Sequence, residues 1–253
     1  MTQGTNEPAP SPFTRKCRYI LVVEGNANDL FTTAMILQRF SYPVCTARNA
    51  RQALDMISVA MPALVATDFT LPGMNGIDFL RVLGSNPHTF SIPVLLFVPP
   101  GDIGHEANVV EIGGQAILRK PVPLEDLYRA VQASMEPTPR TNIRIHATLP
   151  VTVNNGALDS GRGECATHIS AQGLYIRTFK HYRPDEQVQL QLTIGGRIVK
   201  TEGKILYTRR QDSASFVEPG MAVQFTRIMA EDRELIRQFI HDAVTRGIVM
   251  KLP

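Results

Sequence analysis

Two prolines near the middle of the chain divide it into halves with different hydrophobic patterns. They lie in the segment Glu136-Pro137-Thr138-Pro139, where a helix cannot continue because proline lacks the backbone N–H and clashes with the preceding turn. A length of 253 residues accommodates two domains of ordinary size. The sequence therefore predicts a disordered tail over residues 1–16, a first domain over 17–136, a linker over 137–142 and a second domain over 143–253.

The first domain shows five short apolar runs that alternate with stretches of helical periodicity. The predicted strands are residues 19–23, 44–47, 63–67, 94–98 and 116–118. The predicted helices are residues 29–40, 50–60, 76–83, 106–112 and 124–135. Strands that alternate with helices form parallel sheets, so we predict a doubly wound α/β domain with a five-stranded parallel sheet.

The second domain shows the alternation of apolar and polar residues that is typical of strands. The predicted strands are residues 143–153, 164–169, 174–178, 188–193, 198–207 and 221–225. The pair Gly195-Gly196 between two of them is a strong hairpin signal. Residues 231–244 have the spacing of an amphipathic helix. We therefore predict a six-stranded antiparallel β-barrel that is followed by a C-terminal helix.

Composition argues against several classes of protein. A net charge of only +3 does not support nucleic-acid binding, which needs a concentrated basic face. No apolar run is long enough to cross a bilayer and the first residues lack the features of a signal peptide, so we expect a cytoplasmic protein without membrane insertion. The cysteines and histidines are scattered, which argues against a metal site or a disulfide framework. We find no nucleophile–base constellation and predict that the protein is not an enzyme.

Charged and small residues in the first domain fall at the ends of its predicted strands. They are Glu24-Gly25, Asp68, Val98-Pro99 and Lys120-Pro121, after the first, third, fourth and fifth strands. Because ligands bind at the carboxyl ends of parallel strands, we expect these residues to meet. With the loop Leu71-Pro72-Gly73-Met74-Asn75-Gly76, they resemble the CheY-like receiver domain of bacterial response regulators.

The resemblance implies phosphoryl transfer to Asp68, with Lys120 neutralising the added charge and Glu24 as an acidic neighbour. Two positions depart from the family. Gly25 stands where receivers have a second acidic residue, and Val98 replaces a Ser or Thr that would hydrogen-bond the phosphoryl group. Magnesium prefers several oxygen ligands, so Glu24 and Asp68 are weak candidates for holding it. We expect no cofactor here.

These departures predict a degenerate receiver, or pseudo-receiver, in which Asp68 and Lys120 pair across the strand ends. Such a domain would act through protein contacts or dimerisation. In receivers a face corresponding to about residues 106–131 of this chain commonly has that role.

Two clusters in the second half resemble the PilZ domain, which binds cyclic di-GMP through Arg-x-x-x-Arg and Asp/Asn-x-Ser-x-x-Gly motifs. Arg140 and Arg144 match the first motif, and His168, Ser170 and Gly173 occupy the second. Arginine offers a charged planar fork that suits phosphate oxygens and guanine edges. His168 departs from the family because a neutral imidazole accepts one hydrogen bond where a carboxylate accepts two from guanine. The resemblance implies these five residues as the ligand site.

The sequence leaves three functions open. The chain can be a cyclic di-GMP receptor whose pseudo-receiver contacts a protein partner or a second copy of itself. It can be an adaptor that binds neither a phosphoryl group nor cyclic di-GMP. It can also be a response regulator that is phosphorylated at Asp68. The partner and the oligomeric state are not visible in the sequence.

Overall fold

The computed structural model of this protein describes residues 18–101, 114–210 and 218–248. Two sheets organise these residues, a five-stranded one in the first half and an eight-stranded one in the second. The predicted tail over residues 1–16 and the predicted helix over residues 106–112 lie outside the described residues.

The first sheet is parallel and doubly wound, as predicted. Its strands are β1 (Ile20–Val23), β2 (Val44–Ala47), β3 (Leu64–Asp68), β4 (Val94–Val98) and β5 (Gly114–Arg119), in the order β2-β1-β3-β4-β5. The described helices of this half are α1 (Ala27–Arg39), α2 (Ala50–Val59), α3 (Gly76–Ser85) and α4 (Leu124–Met135). Strands β1, β3 and β4 are buried along their whole length, as expected for strands that are covered on both faces.

Asparagine side chains begin three of these helices. Asn26, Asn49 and Asn75 each accept hydrogen bonds from backbone N–H groups in the first turns of α1, α2 and α3. Such a cap satisfies donors that would otherwise lack a partner and stabilises a helix by about 1 kcal/mol. The caps fix where each helix starts, and therefore how the carboxyl ends of the strands are covered.

No helix in the described ranges has both the length and the apolar character needed to cross a membrane.

The second sheet is antiparallel and curls back on itself. Its strands are β6 (Arg144–Leu149), β7 (Val151–Val153), β8 (Gly156–Ala157), β9 (Cys165–Ser170), β10 (Gly173–Arg177), β11 (Gln187–Ile194), β12 (Arg197–Arg209) and β13 (Gly220–Arg227). The order is β6-β9-β10-β13-β12-β11-β7-β8. Only Pro150 separates β6 from β7 although they lie near opposite ends of this order, so the sheet must close towards a barrel. Helix α5 (Ala230–Thr245) follows the last strand.

The strand count differs from the predicted six because of the first predicted strand. Pro150 divides residues 143–153 into β6 and β7, since proline cannot donate to the sheet ladder. The short β8 then pairs with β7 across the turn at Asn154 and Asn155, which both have positive φ. The predicted hairpin at Gly195-Gly196 joins β11 to β12.

The apolar cores of the two halves are continuous. One cluster runs from a face of the parallel sheet through α1 and α4 into the barrel and α5. Within it, the Phe40 and Tyr128 rings meet edge to face with centroids 5.0 Å apart. Beside it, the Arg39 guanidinium donates to the carbonyl oxygens of Val244 and Arg246 at 2.5 and 2.7 Å. Helix α1 of the first half is thereby joined to the end of α5.

Candidate functional site

Lys120 is the centre of a polar cluster at the carboxyl edge of the parallel sheet. Its Nζ lies 2.8 Å from Asp68 Oδ1 and 2.8 Å from Glu24 Oε2. Asp29, in the first turn of α1, adds an oxygen at 3.5 Å. The structure therefore brings the three expected residues together. Asp29 was missed by the sequence analysis because its position depends on how α1 sits over the strand ends.

Burial and pairing shape the protonation of this cluster. Glu24 is only 4% exposed, and burial raises the pKa of its carboxyl while the hydrogen bond from Lys120 opposes that shift. For Lys120 itself, burial lowers the pKa, but hydrogen bonds with Asp68 and Glu24 outweigh it and the pKa is raised. The ammonium therefore stays charged at neutral pH and occupies oxygens of both carboxylates.

The two positions that depart from receivers offer no side-chain oxygen to a phosphoryl group or a cation. A Cβ on Gly25 would lie 2.8 Å from Pro72 Cδ, so a second acidic side chain would require the Pro72 ring to move. Val98 is buried at 3% exposure and has no hydroxyl. Within residues 18–101, 114–210 and 218–248, no group of three or more His, Cys, Asp or Glu is placed to hold a metal ion. The residues present are thus a poor fit to magnesium.

A second candidate site is a cleft of about 400 Å³ between the linker and the barrel, which we call the arginine cleft. Arg140, Arg144, Ser170 and Gly173 all line it. Residues on three strands, the β9–β10 turn and the linker complete its wall. They are Pro139, Thr141, Asn142, Gln172, Leu174, Leu206, Tyr207, Ala222, Val223 and Gln224.

Sheet register explains why these residues meet. Arg144 on β6 pairs with Ser170 on β9, Ser170 pairs with Gly173 on β10, and Gly173 pairs with Gln224 on β13. These four residues form one row across neighbouring strands. Side chains directly opposite each other on paired strands share a face of the sheet, so the row forms the floor of the arginine cleft.

Ser170 and Gly173 also have roles in the fold itself. Ser170 Oγ donates to the Gly173 carbonyl oxygen at 3.2 Å and accepts from Gln172 N at 3.4 Å, which closes the β9–β10 hairpin. A Cβ on Gly173 would lie 2.3 Å from Val223 O. Glycine is therefore required at this position by the close approach of β13, whether or not a ligand binds.

His168 lies next to the arginine cleft without being part of its lining. It is two residues before Ser170 on β9, and its ring contacts His146 and Tyr175 with centroids 5.1 and 6.4 Å away. Burial, and then the positive charge of Arg144, lower the pKa of His168. The imidazole is therefore neutral at pH 7 and presents one acceptor at most.

Tyr207 is a residue of the arginine cleft that the sequence analysis missed. Its hydroxyl favours the charged form of the Arg144 side chain and so opposes the effect of burial on the Arg144 pKa, and the residue is 38% exposed. The Arg209 guanidinium lies 5.3 Å from the centroid of that ring. Strict alternation along β12 would place Tyr207 inside the barrel beside Ile205, but the register shifts between these two residues and turns Tyr207 outwards.

The two arginines of the cleft are electrostatically coupled. Burial, and then the neighbouring charge of Arg140, lower the pKa of the Arg144 guanidinium. Arginine nevertheless remains protonated in proteins. The cleft therefore holds two like charges that favour an anionic ligand.

Comparison with known families matches each half of the chain. Residues 20–132 match the response regulator receiver domain, and residues 138–242 match the PilZ domain. Receiver and PilZ domains are signalling and binding domains and not typical catalysts. PilZ domains as a family are known for binding cyclic di-GMP.

Individual relatives are similar to the first half. The phosphate regulon transcriptional regulatory protein PhoB of Pseudomonas aeruginosa is 28% identical over 119 residues, which are 47% of this chain and 52% of PhoB. A probable chemotaxis protein CheY of Rhizobium etli is 24% identical over 47% of this chain and 92% of its own length. A receiver domain structure from Clostridium thermocellum has 25% identity and a TM-score of 0.44, and covers 47% of this chain and 94% of that one. The chain thus spans about half the length of PhoB.

Proposed function

Because this chain is a signalling protein of bacterial type that joins a receiver domain to a PilZ domain, we propose that it binds cyclic di-GMP in the arginine cleft. One observation carries the proposal. Arg140 and Arg144, from the linker and β6, line the same cleft as Ser170 and Tyr207. That cleft combines positive charge with an exposed aromatic face, which is the chemistry that a nucleotide ligand requires.

Each part of cyclic di-GMP has a partner in this arrangement. Its phosphates carry two negative charges, which would relieve the repulsion between Arg140 and Arg144. A guanidinium fork also fits the O6 and N7 atoms of guanine. The ring of Tyr207 offers a surface for a base, and such stacking contributes about 1–3 kcal/mol. Gln224 extends the cleft floor on the next strand.

His168 sets an upper limit on the expected affinity. A carboxylate at this position would accept two hydrogen bonds from guanine N–H groups, whereas a neutral imidazole accepts one. The loss of one such bond weakens binding by ~1–3 kcal/mol, which is roughly one to two decades in Kd. We therefore expect binding in the micromolar range, carried mainly by the two arginines.

We also propose that the receiver domain of this chain is a pseudo-receiver that works through protein contacts. Two features support this. Gly25 supplies no second carboxylate, and Val98 supplies no hydroxyl. The contact would be with a second copy of the chain or with another protein. Cyclic di-GMP is then the small-molecule input, and no resident cofactor is needed.

Calorimetry on the full chain tests the ligand proposal. Wild type and Arg144→Ala are titrated with cyclic di-GMP, with Arg197→Ala, an exposed arginine at the β11–β12 hairpin, as the matched control. We expect micromolar binding by wild type and by the control, and no measurable binding by Arg144→Ala. Absence of heat from wild type at high micromolar ligand would reject the receptor function and favour the adaptor.

A further inference from the structure

The last helix of the receiver domain reaches the arginine segment of the PilZ domain. Arg140 N donates to Gln132 Oε1 at 2.9 Å, across the domain boundary. The same side chain amide donates from Nε2 to the Tyr42 hydroxyl at 2.6 Å. Gln132 is only 4% exposed, so both ends of its amide depend on these two partners. A buried amide that lacked one of them would be strongly unfavourable.

The Arg140 N–H fixes which end of the Gln132 amide faces the linker, because it can only donate and therefore needs the amide oxygen. Burial, and then the nearby charge of Glu136, raise the pKa of Tyr42 to about 12. Its hydroxyl therefore stays neutral at any physiological pH and remains available as an acceptor for Gln132 Nε2. The amide nitrogen is then left to face the Tyr42 hydroxyl, which accepts from it at 2.6 Å.

Tyr128 acts on the same segment from one turn earlier in α4. It is 2% exposed, and its hydroxyl lies close enough to the Arg140 side chain and the Arg144 backbone for both to favour the ionised phenol and so oppose the effect of burial on its pKa. Burial raises the pKa of Tyr128 while the charge of Arg140 opposes the shift. Residues four apart lie on one helix face, so Tyr128 and Gln132 both face the segment that carries the two arginines of the motif.

We propose that Gln132 and Tyr128 are positioning residues for the arginine cleft, so that helix α4 of the receiver domain sets the affinity of the PilZ domain for its ligand. This inference rests on the proposed binding of cyclic di-GMP. The linker residues from Pro137 to Thr141 are exposed. A segment with no such anchor would lose conformational freedom when it closes over a ligand. Because α4 already holds the segment in the free protein, less conformational entropy is lost when the ligand binds, which is preorganisation.

Calorimetry with cyclic di-GMP on the full chain provides the first test. We expect Gln132→Ala to weaken binding about tenfold, which corresponds to ~1.4 kcal/mol, and Tyr128→Phe to weaken it severalfold. Ser134→Ala is the control, because the Ser134 hydroxyl donates only to Ala130 O of its own helix. Thermal unfolding of each variant separates an effect on the cleft from a loss of folding.

A double-mutant cycle shows whether Gln132 acts through Arg140. In an Arg140→Ala background, Gln132→Ala should add less than a twofold loss, since the side chain that it positions is gone. Equal and additive losses in both backgrounds would assign Gln132 a general structural role and overturn the inference. Equal affinity of wild type and Gln132→Ala would also overturn it, and would leave the proposed function intact.

Amide hydrogen exchange without ligand keeps the two proposals distinguishable. We expect exchange over residues 140–144 to be at least tenfold faster in Gln132→Ala than in wild type, with no change in Ser134→Ala. If wild type failed to bind cyclic di-GMP, the proposed function would fail, and with it the claim on affinity. Faster exchange in Gln132→Ala would then still support anchoring of the segment by α4. Unchanged exchange would overturn the anchoring as well.

Discussion

Pro72 occupies the space next to Gly25 that a side chain there would need. A Cβ on Gly25 would lie 2.8 Å from Pro72 Cδ, closer than Cβ atoms approach neighbours in folded proteins. The receiver domain thus lacks a second acidic residue at position 25, and the ring of Pro72 fills the space that its side chain would need.

Gly25→Asp should therefore destabilise the protein without restoring phosphorylation. Overpacking of this kind typically lowers the free energy of unfolding by ~1–3 kcal/mol. Chemical denaturation measures the loss, and intact mass after incubation with acetyl phosphate measures any phosphoryl group on Asp68. Gly25→Ala is the control that keeps the steric contact and omits the charge. Phosphorylation of wild type under these conditions would contradict the pseudo-receiver.

Lys120→Met should destabilise the protein more at high pH than at low pH. Removing the ammonium leaves Glu24 and Asp68 without their partner, at a loss of ~1–3 kcal/mol because the site is partly exposed. It also removes the hydrogen bond that opposes the raised pKa of Glu24. A carboxyl whose pKa is raised by folding favours the folded state at low pH, and this contribution is lost as pH rises from its ordinary pKa through the raised one.

The deficit of Lys120→Met relative to wild type should accordingly be larger at about pH 8 than at about pH 5. Urea denaturation at the two pH values measures it. Lys200→Met, at an exposed position on β12, should show no such difference. A deficit that did not change with pH would mean that Glu24 does not titrate against Lys120.

Much of the fold could be predicted because local signals agree with it. Helix α4 has the predicted bounds, Leu124–Met135, because Pro123 starts it and the proline break after Glu136 ends it. Strands β2 and β4 also have their predicted bounds, since they are short apolar runs between turns. What the sequence does not show is where neighbouring elements dock.

Two site residues illustrate that limit. Tyr207 would face the barrel interior by alternation, and only the register shift on β12 turns it towards Arg144. Gln132 reads as one polar residue on an amphipathic helix, and its contact with Arg140 depends on how two domains pack. Arg140 and Arg144 were found from the sequence because their spacing is part of a motif.

His168→Asp should strengthen binding of cyclic di-GMP. A carboxylate next to the arginine cleft restores the second acceptor for guanine, which is expected to lower Kd about tenfold. Calorimetry measures the change. His181→Asp, the same substitution at an exposed position elsewhere on the barrel, should leave Kd unchanged. Weaker binding by His168→Asp would show that the ligand does not extend to this row of the sheet.

Tyr207→Ala should weaken binding of cyclic di-GMP by one to two decades, because it removes the exposed aromatic face of the cleft. Tyr207→Phe keeps that face and loses only the hydroxyl beside Arg144, so its effect should be smaller. Ile198→Ala removes an exposed apolar side chain from the same strand and serves as the control. Equal losses in Tyr207→Ala and Tyr207→Phe would mean that the hydroxyl matters and the ring does not.

The apolar cluster that runs from α1 and α4 into the barrel and α5 means that the two domains share one core across the proline break. Cutting the chain at that break would leave two fragments, each of which would expose apolar surface that the other domain buries in the full chain. Arg39 would lose the two carbonyl groups at the end of α5, and Gln132 would lose Arg140. In a fragment that contained only the barrel, Arg140 would no longer be anchored by Gln132. The ligand affinity of that fragment would therefore not report the affinity of the full chain.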